Sequence, residues 1–250
     1  MLARMAASSV DEAREIVAGI GGGTSPQRGE EIHQFVREQR FERCLELGFA
    51  YGVSSVWIGS ALEANRFGTL TSVDILAAHE RRPTARETLE RAGLTDRVEL
   101  VYEETSYTWY LQRMLRQQLR GRLIEPLFDF VFLDGAHTWD ADGLAFLLVD
   151  RLLKPGGWIL LDDLDWKLDV ERFPDEPPAQ RELAHIREVW DLLVLPDSSY
   201  DEMSTDGLWG WARKSPTATP AVRTIVRRDL VGSVRELGRI ARSKLGGSSG

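Results

Sequence analysis

Five times in this chain a short apolar run is followed by a stretch of helical character, and that alternation constrains the fold more than any other feature. The apolar runs are Arg43–Leu47, Leu70–Val73, Val98–Tyr102, Phe128–Leu133 and Trp158–Leu161. The helical stretches that follow are Ser54–Ala64, His79–Ala92, Thr108–Arg120, Ala141–Leu153 and Ala179–Val189, with Gly93 and Gly121 suited to end two of them. Strands that recur with a helix between them pair in parallel, because only a long crossover returns the chain to the same edge. With Leu192–Leu195 and Leu208–Arg213 as the last two strands, the pattern predicts an α/β, Rossmann-like, seven-stranded, mostly parallel sheet with helices on both faces.

Two further helical stretches, Ser9–Ile20 and Glu30–Arg40, precede the repeats and are parted by the breaker Gly21–Pro26. The expected organisation is an N-terminal helical cap segment over residues 1–40 that helps to cover a substrate, a main domain over 41–214, and a basic tail over 215–250. The tail carries Arg223, Arg227, Arg228, Arg235, Arg239, Arg242 and Lys244 against Asp229 and Glu236. A solvated, partly helical extension is the expected state, with a surface for an acidic partner or membrane as the alternative.

Three aspartates stand at the ends of two strands. Asp134 closes Phe128–Leu133, and Asp162 and Asp163 close Trp158–Leu161. Ligands of open parallel sheets bind outside the carboxyl ends of the strands, so neighbouring strands would bring these carboxylates to one point. Like charges that close repel unless a proton or cation intervenes, and a hard divalent cation such as magnesium suits oxygen ligands. Zinc is disfavoured, because no cluster of Cys and His accompanies them. The competing reading is that Asp162 or Asp163 caps the following loop; Asp165 is a nearby competitor as ligand.

At the first strand end, Glu46-Leu47-Gly48-Phe49-Ala50-Tyr51-Gly52-Val53-Ser54 joins strand to helix. The glycines permit a tight turn and a close backbone approach to a ligand. Their Gly-x-x-x-Gly spacing is neither the dinucleotide fingerprint nor a P-loop, which disfavours a dehydrogenase or a nucleotide triphosphatase. Asp74, closing the second strand, can accept hydrogen bonds from both ribose hydroxyls of a nucleoside.

These pieces, with Leu153-Lys154-Pro155-Gly156-Gly157 leading to Asp163, resemble the class I S-adenosylmethionine-dependent methyltransferases from about Phe41 to Arg213. Within that class the chain is most similar to the metal-dependent O-methyltransferases of the catechol, caffeoyl-CoA and macrolide sugar types. The resemblance implies that Glu46, Gly48, Gly52 and Ser54 hold the methionine part of S-adenosyl-L-methionine, that Asp74 holds the ribose, and that Thr105 and Ser106, beside Glu104, border the adenine. It implies that Asp134, Asp162 and Asp163 bind a magnesium ion or another hard divalent cation. Catechol-type enzymes carry a lysine base where this chain has His137, so the resemblance makes His137 the general base here, a role to which imidazole is suited near neutrality. Packing or helix capping is the competing role for His137. Trp139 and Trp166 would flank the site, to stack on a planar or sugar acceptor or to pack in the core or a lid. His33, His79 and His185 are expected to be surface or packing residues, and Trp57, Trp109, Trp158, Trp190, Trp209 and Trp211 to pack.

The net charge of -8 argues against nucleic acid as a partner. No apolar run approaches the roughly 20 residues of a membrane span. The first 20 residues lack the apolar core of a signal peptide, and the lone Cys44 has no disulfide partner, so a reducing cytoplasm is the expected location. The implied reaction is divalent-metal-dependent O-methylation of a small hydroxylated acceptor. A sugar or glycosylated natural product is preferred, since the loop from Asp165 to Pro178 is polar. The alternatives are metal-independent methylation of a carboxylate or nitrogen, and a cofactor-binding partner protein without turnover. Oligomeric state stays open, a homo-oligomer included.

Overall fold

A single seven-stranded sheet organises the computed structural model, which describes residues 6–21, 23–168, 171 and 173–218. The strands are β1 (Arg43–Leu47), β2 (Thr69–Ile75), β3 (Val98–Glu103), β4 (Phe128–Leu133), β5 (Leu153–Leu161), β6 (Tyr200–Thr205) and β7 (Gly210–Lys214). Across the sheet they lie in the order β3-β2-β1-β4-β5-β7-β6, and only β7 runs against the others. The helices are α1 (Val10–Val17), α2 (Pro26–Gln39), α3 (Val53–Asn65), α4 (Ala85–Ala92), α5 (Thr108–Gln118), α6 (Trp139–Leu152), α7 (Pro178–Arg181) and α8 (His185–Val189). The α/β architecture read from the sequence is therefore the one observed.

Successive strand residues feed opposite faces. Cys44, Phe130, Phe132 and Leu160 join buried residues of α1 to α4, while Leu45, Val131, Leu133 and Ile159 join Tyr110, Leu111, Phe146, Val149 and Ile186 from α5, α6 and α8. Two covered faces explain why β1 and β4 read as mostly apolar without a polar alternation. Helix starts follow local chemistry. Ser25 accepts from the Arg28 amide with Pro26 in the first turn of α2, and Thr84 and Glu87 form a reciprocal capping box on α4. The N-terminal helices lean on α3, and Ala13, Ile16, Val17, Ile32 and Val36 belong to the main core, so residues 10–39 are built into the domain's wall.

Five expectations need correction. The stretch His79–Ala92 divides into a 3₁₀ turn at Leu76–Glu80 and α4, because Pro83 has no N–H to give and disfavours helical backbone at Arg82. The stretch Thr108–Arg120 stops at Gln118, where Leu119–Arg120 pairs with Leu123–Ile124 in a small hairpin. Ala179–Val189 is two short helices. Leu192–Leu195 is no strand: Trp190 to Val194 forms a wide helical turn that buries those two residues, a spacing of four. The strand lies later, at Tyr200–Thr205, where mostly exposed polar residues hide the period. Trp109, expected to pack, is 58% exposed. The basic tail lies, from residue 219 on, outside the described residues.

Candidate functional site

The sheet reverses its winding between β1 and β4, and the strand register brings the proposed site residues out at one level. Leu47 pairs with Val73 on one side and Leu133 on the other, and Leu133 pairs with Leu161. The Gly48 amide donates to the Val73 carbonyl at 2.8 Å, Asp134 to Leu47 at 2.9 Å, and Asp162 to Leu133 at 3.0 Å. Asp74, Gly48, Asp134 and Asp162 thus leave four neighbouring strands side by side at a topological switch point, where α/β sheets bind ligands.

The glycine loop is pressed against the acid loop. Gly48 has φ of +89°, and a Cβ there would lie 1.8 Å from the Asp134 carbonyl oxygen, so no other residue fits. Gly52, with φ of +79°, starts α3 and offers no side chain to its first amides, which leaves them for an anionic ligand group. Glu46 is fully buried beneath the loop. Ser55 donates to its Oε2, as does Ser72 at 2.5 Å, while Oε1 has no partner. Burial raises its pKa, and hydrogen bonds from Ser54, Ser55 and Ser72 offset part of that rise. Thr24, just before α2, holds a second unpartnered buried oxygen, Oγ1. Beside it, a Cβ on Gly23 would touch Val53 at the start of α3, so this segment borders the glycine loop.

Asp74 sits where the sequence placed it, with its carboxylate holding the loop. Oδ2 accepts from the Phe49 and Ala50 amides at 3.0 and 2.8 Å, and Oδ1 from Ile75 at 2.7 Å. Beyond β3, Thr105 is exposed, and the Ser106 hydroxyl bonds Thr108 at the start of α5.

The acids and His137 do converge. The His137 Nε2 lies 3.6 Å from Asp134 Oδ1 and 3.6 Å from Asp163 Oδ2, and its Nδ1 is buried without a partner. Asp162 Oδ1 accepts from the Asp163 amide and from the Trp209 indole, both at 2.7 Å. The guanidinium of Arg28 lies 4.5 Å over the Trp209 ring and pairs with Asp206 at 2.5 Å, which ties α2 to this corner. Asp165 is turned away in a 2.8 Å ion pair with Arg187. Among the described residues, no three His, Cys, Asp or Glu side chains already stand in metal-coordinating geometry.

Burial raises the Asp134 carboxyl well above the ordinary range, and repulsion from Asp162 and Asp163 adds to it. Asp162 is pushed up to about 6, first by burial and then by Asp163. A carboxyl raised on folding contributes stability that is complete below its unfolded value and lost as pH rises through the folded one. For Asp162 that window runs from 3.8 to about 6. In chelator, the melting temperature is therefore expected to fall across this window less steeply for Asp162→Asn than for the unmodified chain. Parallel pH profiles from thermal unfolding would dissociate the slope from the acid cluster.

Several residues of this site were not singled out by sequence reasoning. Tyr107 and Asp142 hold the loop that carries His137, and the His185 imidazole bonds both the Trp139 amide at 3.0 Å and the Gln180 carbonyl at 2.7 Å. An acid on the core side of α6, among Gly143, Phe146 and Val149, was the available signal for Asp142. Trp166 stands 5.2 Å from the His137 ring, as a flanking aromatic should, and Trp209 serves Asp162 besides packing.

Residues 45–164 match the family model described as a methyltransferase domain. A protein of Mycobacterium sp. (strain JLS), named provisionally as an O-methyltransferase, is 30% identical over 155 residues, which are 61% of this chain and 62% of that relative. The chain thus spans about three fifths of the length of this curated relative. Among solved structures, an O-methyltransferase from Bacillus cereus in complex with S-adenosylhomocysteine superposes with a TM-score of 0.59 at 20% identity, covering 86% of this chain and 94% of that one. MycE, a methyltransferase of the mycinamycin biosynthetic pathway in complex with Mg, S-adenosylhomocysteine and mycinamycin VI, superposes with a TM-score of 0.55 at 16% identity, covering 89% and 58%. The Rossmann-like fold that the resemblance implies is shared with these solved structures, and the stretch 45–164 is similar to a methyltransferase domain.

Proposed function

We propose that this chain is an S-adenosylmethionine-dependent O-methyltransferase acting on a hydroxyl of a small molecule. The observation that carries the reading is the meeting, at one switch point, of the glycine loop held by Asp74 and a carboxylate cluster that contains an imidazole. The methyltransferase-domain match over 45–164 and the O-methyltransferase name of the Mycobacterium relative support it. In this reading the Gly48–Gly52 loop, Thr24, Glu46 and Ser54 hold the methionine part of the cofactor, Asp74 the ribose, and Thr105 and Ser106 the edge of the adenine.

One observation fits the residues to the cofactor: Glu46 Oε1 and Thr24 Oγ1 are buried oxygens without a partner beside the glycine loop. The aspartates fit a hard cation by donor chemistry, since the three carboxylates offer only oxygen and repulsion from Asp163 raises both Asp134 and Asp162. Asp134, Asp162 and Asp163 would hold it. An acceptor of the sugar or glycosylated class suits the polar loop after β5 and the macrolide named for MycE. A reducing cytoplasm suits the lone buried Cys44.

Bound there, the sulfonium supplies an electrophilic methyl group and the cation lowers the pKa of a hydroxyl beside it. The chain does the rest. The Gly48 loop and Asp74 would hold and orient the nucleoside beside the loop that carries His137. Nε2 of His137 takes the hydroxyl proton, and Asp134 and Asp163 stabilise the imidazolium. Trp166 covers the imidazole and excludes water from that side. A second reading, transfer without a metal, is favoured by one distance pair: Nε2 stands 3.6 Å from both carboxylates, where an imidazolium could itself supply the positive charge.

Titration calorimetry tests the cofactor half. S-adenosylhomocysteine is expected to bind in the micromolar range, on the order of -8 kcal/mol. Asp74→Ala is expected to weaken binding by roughly 1.5–3 kcal/mol, the scale of hydrogen bonds to a charged group. Unchanged affinity in the variant removes Asp74 from the site. A chain that binds the cofactor yet methylates nothing across a broad hydroxylated panel would be a binding partner rather than an enzyme.

A further inference from the structure

His137 occupies a backbone conformation that histidine rarely adopts. Its φ is +56°, in the left-handed region, and neither neighbour in the turn Asp134-Gly135-Ala136-His137-Thr138 pays for it by chain connectivity alone. The surroundings must impose it, and they come from two helices. Tyr107, at the start of α5, is buried; its hydroxyl donates to Asp142 Oδ1 on α6 and accepts from the Ala136 amide at 3.1 Å. Asp142, fully buried, accepts from the Thr138 amide through Oδ2 at 3.2 Å. The amides on both sides of His137 are therefore held by one hydrogen-bonded pair. Gly135 lets the pair approach: a Cβ there would lie 2.3 Å from the Tyr107 hydroxyl and 2.7 Å from Asp142 Oδ1.

We infer that Tyr107 and Asp142 form a clamp that positions His137, holding its imidazole between Asp134 and Asp163. The clamp touches neither cofactor nor acceptor in the proposed reaction; it acts through the backbone at Ala136 and Thr138. Packing alone does not account for it, because a phenylalanine would fill the space of Tyr107 without bonding either Ala136 or Asp142. Its catalytic meaning rests on the reading of His137 as the base, whereas its geometric claim does not.

The test is proton NMR of the full chain. Only four histidines are present, and His137→Gln identifies the His137 signal. The Trp166 ring, 5.2 Å away, shifts the His137 Hε1 resonance by its ring current, and Trp166→Leu gives the position without that shift. In Tyr107→Phe the His137 signal is expected to move towards the Trp166→Leu position, and amide exchange at Ala136 to rise about tenfold, the loss of one hydrogen bond. Affinity for S-adenosylhomocysteine should stay within about twofold, since the loop does not form the nucleoside cradle. A Tyr107→Phe protein that binds S-adenosylhomocysteine normally and keeps both the His137 signal and the Ala136 exchange rate of the unmodified chain overturns the clamp. Should Tyr107→Phe fail to fold, Asp142→Asn carries the same test through Thr138 exchange and the His137 signal. Absence of S-adenosylhomocysteine binding by the unmodified chain would instead sink the methyltransferase reading, with the clamp still decided by the His137 signal.

Discussion

Asp134→Ala and Asp162→Ala are each expected to abolish divalent-ion-dependent methyl transfer, with cofactor affinity nearly unchanged. The expectation follows from the register. Both carboxylates leave adjacent strands at one level, burial raises both, and Asp162 further raises the proton affinity of Asp134. Removing one relieves that repulsion and also removes the charge that would retain a cation. The variants should therefore gain stability in chelator while losing activity, a pairing that misfolding cannot produce. The measurement is methyl transfer with and without added magnesium, beside thermal unfolding of the same samples. Full activity of the unmodified chain in excess chelator, with the protein verified metal-free, would exclude the ion and favour imidazolium as the charge between Asp134 and Asp163.

His137→Ala is expected to lower kcat by about 10²–10⁴, the usual contribution of a general base, while S-adenosylhomocysteine binding stays intact. The pH–rate profile should lose a limb with it. A limb that survives the substitution belongs to the acceptor hydroxyl, whose own titration a cation would shift. A drop of kcat below about threefold, with chemistry rate-limiting, falls short of general-base catalysis and would leave His137 as a structural residue.

What could be read in the sequence divides along physical lines. β1 and β4 were legible to the residue, because both faces of each strand are buried and the apolar run ends where the sheet ends. The site acids were legible for the same reason, since a strand end in a parallel sheet is also a ligand position. β6 was not legible. One of its faces meets water, and Asp201, Glu202, Ser204 and Thr205 carry no apolar period. The supporting residues were illegible for another reason. Tyr107, Asp142, His185 and Trp209 come from three helical segments and a strand entry far apart in the chain, and most of their bonds are to backbone amides or carbonyls, which leave no residue pattern. Thr24 stood in a glycine-rich stretch that reads as a breaker, and only its buried hydroxyl marks it.

The contact between Gly48 and the Asp134 carbonyl has a thermodynamic consequence. The turn that would receive the cofactor and the turn that carries the first acid share one van der Waals boundary, too tight for a methyl group. A displacement of one turn at that boundary would have to be met by the other. Any coupling between ligands at the two turns is reciprocal by linkage. Whatever factor nucleoside binding adds to ion affinity, the ion must add to nucleoside affinity, so the order in which the two arrive leaves the energy of the filled site unchanged.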